Sequence, residues 1–252
     1  SLGATLEGIK WYRTYKQTEL FGDEWAMKSE NPSTADEAFQ STGRRVFAPK
    51  TILKAREQCI DPVAKGTLFS DAETGKEALK NVTFEESKSG ELWIWQYPDN
   101  TITVKNRYLV VLDIGGKSKD ADWSIFRVID KYWILEGGVP EAVATLKIHI
   151  DQDLLAWLGV KLCVFYQNAE FVVENNSLKK EQDTEGDGFL TILNEISEVY
   201  DNLYLDQKRD VSRQGVPVKY GFHTNSMTKP LVINTLKAAI RDGGYIERDE
   251  RT

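Results

Sequence analysis

The sequence predicts an α/β fold in which a mixed sheet is flanked by helices. Short apolar runs typical of buried strands occur along the second half of the chain, and a long apolar helical pattern separates the last of them from the others. The order is therefore three strands, a helix and a further strand. A helix that joins two strands of one sheet makes a right-handed crossover, so we expect a parallel pair of strands on either side of it.

The three strands before the helix are predicted from apolar runs and from alternation. The first covers residues 108–113 and the second covers residues 123–130. The third lies within residues 131–150, where apolar residues from Ala144 onward alternate with polar ones. This alternation predicts a strand with one buried face.

The helix and the fourth strand follow directly. Asp151 or Asp153 can cap the helix, because an aspartate side chain accepts hydrogen bonds from the first free backbone N–H groups. Apolar residues then recur at helical spacing, at Leu154, Leu155, Leu158, Leu162, Phe165 and Tyr166. The fourth strand begins near Phe171, and we expect it to lie beside the first strand.

An acid ends each of these two strands. Asp113 closes the run YLVVLD, and Glu174 closes FVVE. A carboxylate at the end of a buried strand is costly unless a positive charge meets it. Neighbouring strands lie about 4.8 Å apart, so two such acids can share one divalent cation or a pair of cations about 4 Å apart. This arrangement is that of a ribonuclease-H-like sheet, although a lone acid after a strand is also a common strand end.

The loop after Asp113 points to a phosphodiester substrate. Gly115 and its neighbour leave room for a substrate backbone, and Lys117 and Lys119 provide charges that attract phosphate. Asp122 adds a further carboxylate before the second strand. The run ends like the phosphate-binding loop GxxxxGKS, but Val111 stands where that motif needs its first glycine, which argues against a nucleotide site.

Five segments, in order along nearly the whole chain, resemble the nuclease part of the large terminase subunit of tailed bacteriophages or prophages: KWYR, NPSTADEAFQSTG, VLDIGG with DADWS, FVVENNSL and YGFHTNSMTKPLVINTL. The resemblance implies a ribonuclease-H-like fold. It also implies an endonuclease that uses Mg²⁺ or Mn²⁺, with two ions expected, to cut concatemeric viral double-stranded DNA during genome packaging. We therefore expect a phosphodiester hydrolase in the cytoplasm of the bacterial host.

Matched by position, Asp113 and Glu174 correspond to the first two metal ligands of this family, and Asp122 to the acid that accompanies them. The family places a third acid on a late helix beyond the TKP segment, whereas this sequence stops at Thr252. We therefore expect weak or no activity from this chain by itself. Asp249 and Glu250 follow the helix too soon to be matched with that third acid.

Several other residues are candidates for contact with the DNA backbone. Lys117, Lys119 and Lys229 could meet phosphates, and Asn175 could hydrogen-bond one, although paired asparagines also form simple turns. His223 could position or activate water near the acids. Contacts to phosphates predict little preference for DNA sequence.

The first part of the chain has a different character. Residues 6–17, which include Trp11, predict a helix that buries an aromatic face, Pro49 opens a second short helix, and residues 79–96 have strand character. In the family such a segment joins the ATPase motor to the nuclease. We therefore expect residues 1–104 to form an α+β linker subdomain and residues 105–252 the nuclease domain, or else one compact domain with an amino-terminal elaboration.

Composition limits the possible functions. The 252 residues are 41% hydrophobic and 28% charged, which suits one well-formed core. No long apolar run or signal segment is present, so we expect no membrane span. Two isolated cysteines predict no disulfide framework. A net charge of −7 argues against a protein that coats nucleic acid, but bound metal ions would offset the charge of a nuclease site.

Two other functions fit the same residues. One is a docking module without catalysis, which contacts the motor, the portal or the small terminase subunit and has no reason to bind metal through Asp113 and Glu174. The other is a nuclease of the same fold that resembles a resolvase or transposase, which would prefer junction DNA to linear duplex.

Overall fold

The computed structural model describes residues 5–22, 24–31, 47–115, 122–174, 192–205 and 220–251. The chain divides into two compact units, residues 1–54 and 55–252. The strands at residues 64–94 lie in the same sheet as the strands that follow residue 104. The predicted division at residue 104 stays a prediction.

The first unit contains two described helices, α1 (Leu6–Thr18) and α2 (Glu24–Glu30), and the start of α3 (Pro49–Arg56). Thr5 caps α1, because its Oγ1 accepts a hydrogen bond of 3.1 Å from the backbone N–H of Gly8. The predicted helix at residues 6–17 is confirmed, but the predicted burial of an aromatic face is wrong. None of its residues is buried, and Trp11 is 50% exposed.

The second unit contains a mixed sheet of seven strands. They are β1 (Ala64–Phe69), β2 (Thr83–Glu86), β3 (Leu92–Ile94), β4 (Tyr108–Asp113), β5 (Ser124–Asp130), β6 (Glu141–Ile148) and β7 (Glu170–Val173). Their order across the sheet is β2-β1-β3-β6-β5-β4-β7. Only the pair of β4 and β7 is parallel among these strands. The predicted strand segment at residues 79–96 supplies two strands, β2 and β3. They are not neighbours in the sheet, because β1 lies between them.

The helices complete the fold. Helix α4 (Gln152–Phe165) is the crossover from β6 to β7 and packs against β4 and β7. Residues 192–197 form the described part of α5. The last described helix is α6 (Thr228–Asp242). Short 3-10 helices occur at Lys76–Leu79 and Tyr132–Glu136. Among the described helices, none is long and apolar enough to span a bilayer.

The order of β4, β5 and β6, the crossover helix and the parallel strand β7 is that of a ribonuclease-H-like fold, so the predicted fold class is confirmed. Leu203 makes a further parallel bridge to Phe171 in β7. Only isolated bridges occur there, at Leu203 and Leu205.

The core lies between α4 and one face of the sheet. Leu112, Phe126 and Leu146 are in register across β4, β5 and β6, and all are buried. Gly159 lets the helix approach closely, since a Cβ at this position would lie 2.4 Å from Phe171 and 2.8 Å from Phe126. Residues at alternate positions, such as Asp113, therefore belong to the other face.

The amino-terminal end of β4 carries a buried ion pair. The Nη2 atom of Arg107 lies 2.9 Å from Oδ2 of Asp130, and both side chains are almost fully buried. Arg107 also pairs with Asp99, at 3.2 Å. These charges tie β4, β5 and the preceding turn together at the end of the sheet opposite to Asp113.

Candidate metal centre

The parallel pairing of β4 with β7 places Asp113 and Glu174 side by side. Leu112 is in register with Val173, and the backbone N–H of Glu174 donates to the carbonyl of Leu112 at 2.9 Å. Leu112 and Val173 are buried on the α4 side. The next residue of each strand therefore points to the other face, at the same edge of the sheet.

The two carboxyl groups are close enough to influence each other electrostatically. Partial burial raises the pKa of Asp113, and the charge of Glu174, a side-chain hydrogen bond with Glu174 and the charge of Asp122 raise it further. The residue Asp113 as a whole is exposed, so ions from solution can reach this pair.

This pair has the chemistry of a divalent-cation site. Carboxylate oxygens are the ligands that Mg²⁺ and Mn²⁺ prefer, and a cation between the acids would offset the repulsion between them. In the part of the chain that the structure describes, no group of three or more acidic, histidine or cysteine side chains is arranged to hold a metal ion. The donor type fits a divalent cation, and among the described residues the candidate ligands are Asp113 and Glu174, with Asp122 nearby.

Gly115 brings Asp122 close to the first acid. Its backbone N–H donates to Oγ of Ser124 at 3.0 Å, and a Cβ on Gly115 would lie 2.1 Å from the carbonyl oxygen of Asp122. The prediction that Gly115 leaves room for a substrate backbone is therefore wrong, because the backbone of the chain itself occupies that space. Asp122 is exposed.

His223 lies next to Glu174 through main-chain pairing. Phe222 bridges to Glu174 in parallel, and the N–H of Phe222 donates to the carbonyl of Val173 at 2.7 Å. His223 follows directly. Its carbonyl accepts a hydrogen bond of 2.9 Å from Oγ1 of Thr228 at the start of α6.

The start of α6 is fixed by an asparagine that sequence reasoning missed. Oδ1 of Asn225 accepts hydrogen bonds from the N–H groups of Met227 and Thr228, at 2.8 Å and 2.9 Å. Asn225 therefore caps the helix. Lys229 is exposed in the first turn, as a contact with phosphate requires.

Three of the predicted site residues, Lys117, Lys119 and Asn175, lie outside the residues that the structure describes. They stay predictions. Asp249 lies at the other end of the sheet, where Ile246 bridges to Glu141 and Arg251 pairs with Asp249 at 2.7 Å. The exclusion of Asp249 from the metal site stays a prediction.

The structure adds residues that the sequence did not single out. Lys147 is in register with Ile125, which is in register with Asp113, so the three share one face. The ring of Trp123 contacts that of His149 at the same edge, with the two ring planes tilted by 36°. Register between strands brings these residues together, and the only signal in the sequence is the alternation of Lys147 and His149 with apolar neighbours.

The fold and the acid pair define a ribonuclease-H-like protein with a candidate metal centre. Among solved structures it is similar to the large terminase nuclease from thermophilic phage G20c with bound magnesium, with a TM-score of 0.45 and 12% identity over 79% of this chain and 75% of that one. The cobalt-bound form gives 0.45 and 12% over 79% and 74%. A further structure of the same nuclease gives 0.43 and 11% over 80% and 76%. No family model and no curated protein matches the sequence.

Proposed function

We propose that the chain is a divalent-metal-dependent endonuclease that cuts concatemeric viral double-stranded DNA during genome packaging, in the cytoplasm of the bacterial host. The observation that supports this most strongly is the contact between Asp113 and Glu174 at the ends of two parallel strands. Two carboxyl groups held against each other at an exposed sheet edge cost stability, and such strain is typical of functional sites.

Asp113 and Glu174 would hold the cation, and Asp122 would support them. A divalent cation bound there would stabilise the charge that develops on the phosphate and lower the pKa of a nearby water molecule. Mg²⁺ or Mn²⁺ suits these oxygen ligands, and a pair of ions is our expectation.

The other side chains would bind and orient the DNA strand. Lys229, together with Lys117, Lys119 and Asn175, would contact phosphates and so give affinity without sequence preference. His223, held beside Glu174 by the bridge at Phe222, would position water for attack on the phosphorus. In a full-length protein we expect the ATPase motor domain, the small terminase subunit and the portal as partners.

A second candidate function, a docking module without catalysis, is favoured by the surface of α6. Leu231 is 61% exposed and Leu236 is 40% exposed, and Met227 just before the helix is 80% exposed. Apolar side chains at this spacing lie on neighbouring turns of the helix. A motor, portal or small-subunit surface could cover them.

Metal titration separates the two candidates. We expect the parent protein to bind Mn²⁺, followed by calorimetry, and we expect Asp113→Asn and Glu174→Gln to lose at least tenfold in affinity, about 1.4 kcal/mol. The matched control is Asp242→Asn, which removes an exposed acid on α6. Equal Mn²⁺ affinity in all four proteins would reject the metal centre and favour the docking module.

A further inference from the structure

Three side chains beside the acid pair form a compact cluster that the proposed chemistry does not use. The rings of Trp123 and His149 have centroids 3.8 Å apart. The Nζ atom of Lys147 lies 5.0 Å from the centroid of the Trp123 ring. We call these three residues the Trp123 platform.

The platform lies on the same face and edge of the sheet as the acids. Lys147 is in register with Ile125, and Ile125 with Asp113, so two strand spacings separate Lys147 from Asp113. That is about 9.6 Å between backbones. Since successive phosphates of one DNA strand advance about 3.4 Å along the helix axis, a strand with a phosphate at Asp113 has neighbouring nucleotides within reach of the platform.

Burial argues against a purely structural role for Trp123. The indole is 45% exposed even though His149 covers part of it, whereas Trp95, on the same sheet, is 7% exposed and donates to the carbonyl of Ile60. A half-exposed indole beside a lysine is the combination that proteins use for unpaired nucleotides, because every base offers a ring face and every nucleotide a phosphate.

We propose that Trp123 and Lys147 bind an unpaired nucleotide of the DNA strand next to the phosphate that is cut. The Trp123 ring stacks on the base, Lys147 contacts the adjoining phosphate, and His149 supports the indole from the other side. This inference rests on the proposed nuclease function and specifies its substrate: DNA with a locally unpaired strand at the cutting site. Bases inside a closed duplex have no free ring face, so stacking distinguishes the two forms of DNA.

The test compares two labelled DNAs, a closed duplex and the same duplex with a short single-stranded gap. Binding is measured by fluorescence anisotropy with EDTA present, so that no cleavage occurs. The variants are Trp123→Leu, Trp123→Phe and Lys147→Gln. The matched control is Lys105→Gln, which removes an exposed lysine before the opposite end of β4.

We expect the parent to bind the gapped DNA more tightly than the closed duplex. Trp123→Leu should weaken gapped binding about fivefold or more and leave duplex binding within about twofold, because only stacking is lost. Trp123→Phe should keep most of the preference. Lys147→Gln should weaken both DNAs and reduce the salt slope by about 0.7 to 0.9, the value for one phosphate contact. Lys105→Gln should keep the parent preference.

The proposal is overturned if the parent binds no DNA, if it has no preference for the gap, or if Trp123→Leu keeps that preference. A misfolded variant would bind gapped DNA and closed duplex equally weakly. Thermal melting and the conservative variant Trp123→Phe distinguish that case from a loss of stacking. Binding of Mn²⁺ by the parent is measured separately by calorimetry. If the parent binds Mn²⁺ but Trp123→Leu keeps the preference for gapped DNA, the platform alone is rejected. If the parent prefers gapped DNA but binds no Mn²⁺, the nuclease alone is rejected.

Discussion

Glu174 lies beside Asp113 across the parallel pair of β4 and β7, and partial burial of the Asp113 carboxyl group together with the nearby charge of Glu174 raises the pKa of Asp113. The crossover helix α4 determines the pairing, since it returns the chain to the edge of β4. The two acids therefore meet because of the topology, and their mutual repulsion favours any cation that can bind between them.

Asp113→Asn should stabilise the metal-free protein. An acid whose pKa is raised by folding holds its proton more tightly in the folded state, so its contribution to the free energy of unfolding falls as pH rises through the folded pKa. At pH 7 the substitution removes this penalty and should raise the melting temperature. Asp242→Asn, at an exposed ion pair, is the control and should change it little. Destabilisation by Asp113→Asn in EDTA would contradict the repulsion.

With Mn²⁺ present, the parent should become more stable than Asp113→Asn. The parent should gain melting temperature with Mn²⁺, because binding to the folded state alone stabilises it. Asp113→Asn should gain much less at the same concentration. Equal gains measured by thermal melting would show that the cation binds elsewhere.

Gly159→Ala should destabilise the fold by about 1–3 kcal/mol. The new methyl group would meet the rings of Phe171 and Phe126 between α4 and the sheet. Gly8→Ala provides a matched helical control, because its Cβ would approach only Oγ1 of Thr5, at 3.4 Å. That change should be neutral or stabilising by about 0.5–1 kcal/mol, since alanine favours helix. Urea denaturation of both variants measures the difference, and similar values would contradict the close contact.

Asp130→Ala should cost about 3–5 kcal/mol, because it leaves Arg107 buried without its main partner. Asp242→Ala, which removes the partner of the exposed Arg241, should change stability by less than about 1 kcal/mol. Urea denaturation again provides the comparison. A small effect of Asp130→Ala would mean that Asp99 alone can balance Arg107.

Asp249 should make stability depend on pH in acid. Burial alone raises its pKa, but hydrogen bonds from Arg251 and its positive charge outweigh burial and hold the pKa of Asp249 below its ordinary value. The stability that this pair adds is therefore present above the unfolded pKa, about 3.9, and is lost as pH falls through the lower folded pKa. Asp249→Asn should melt at a lower temperature than the parent at pH 7, and this difference in melting temperature should disappear in acid. A difference in melting temperature that stays constant across this pH range would contradict the account.

The sequence predicts the strands around the acid pair well, because their signals are local. YLVVLD and FVVE are apolar runs that end in an acid, and the helix between them is long and apolar. β1 escapes prediction because AKGTLF contains lysine and glycine. The glycine is needed for packing, since a Cβ on Gly66 would lie 2.1 Å from the carbonyl oxygen of Glu85. The Trp123 platform escapes because it depends on the register of β5 with β6, which a single sequence specifies only weakly.

The measurement that tests the proposed nuclease most directly is nicking of supercoiled plasmid with Mn²⁺. The parent is compared with Asp113→Ala, Glu174→Ala and Asp242→Ala, each checked for folding by thermal melting. The account predicts weak metal-dependent nicking by the parent and by Asp242→Ala, and no nicking by the other two. Nicking by Asp113→Ala and Glu174→Ala at the rate of the parent would contradict a metal centre at this edge of the sheet.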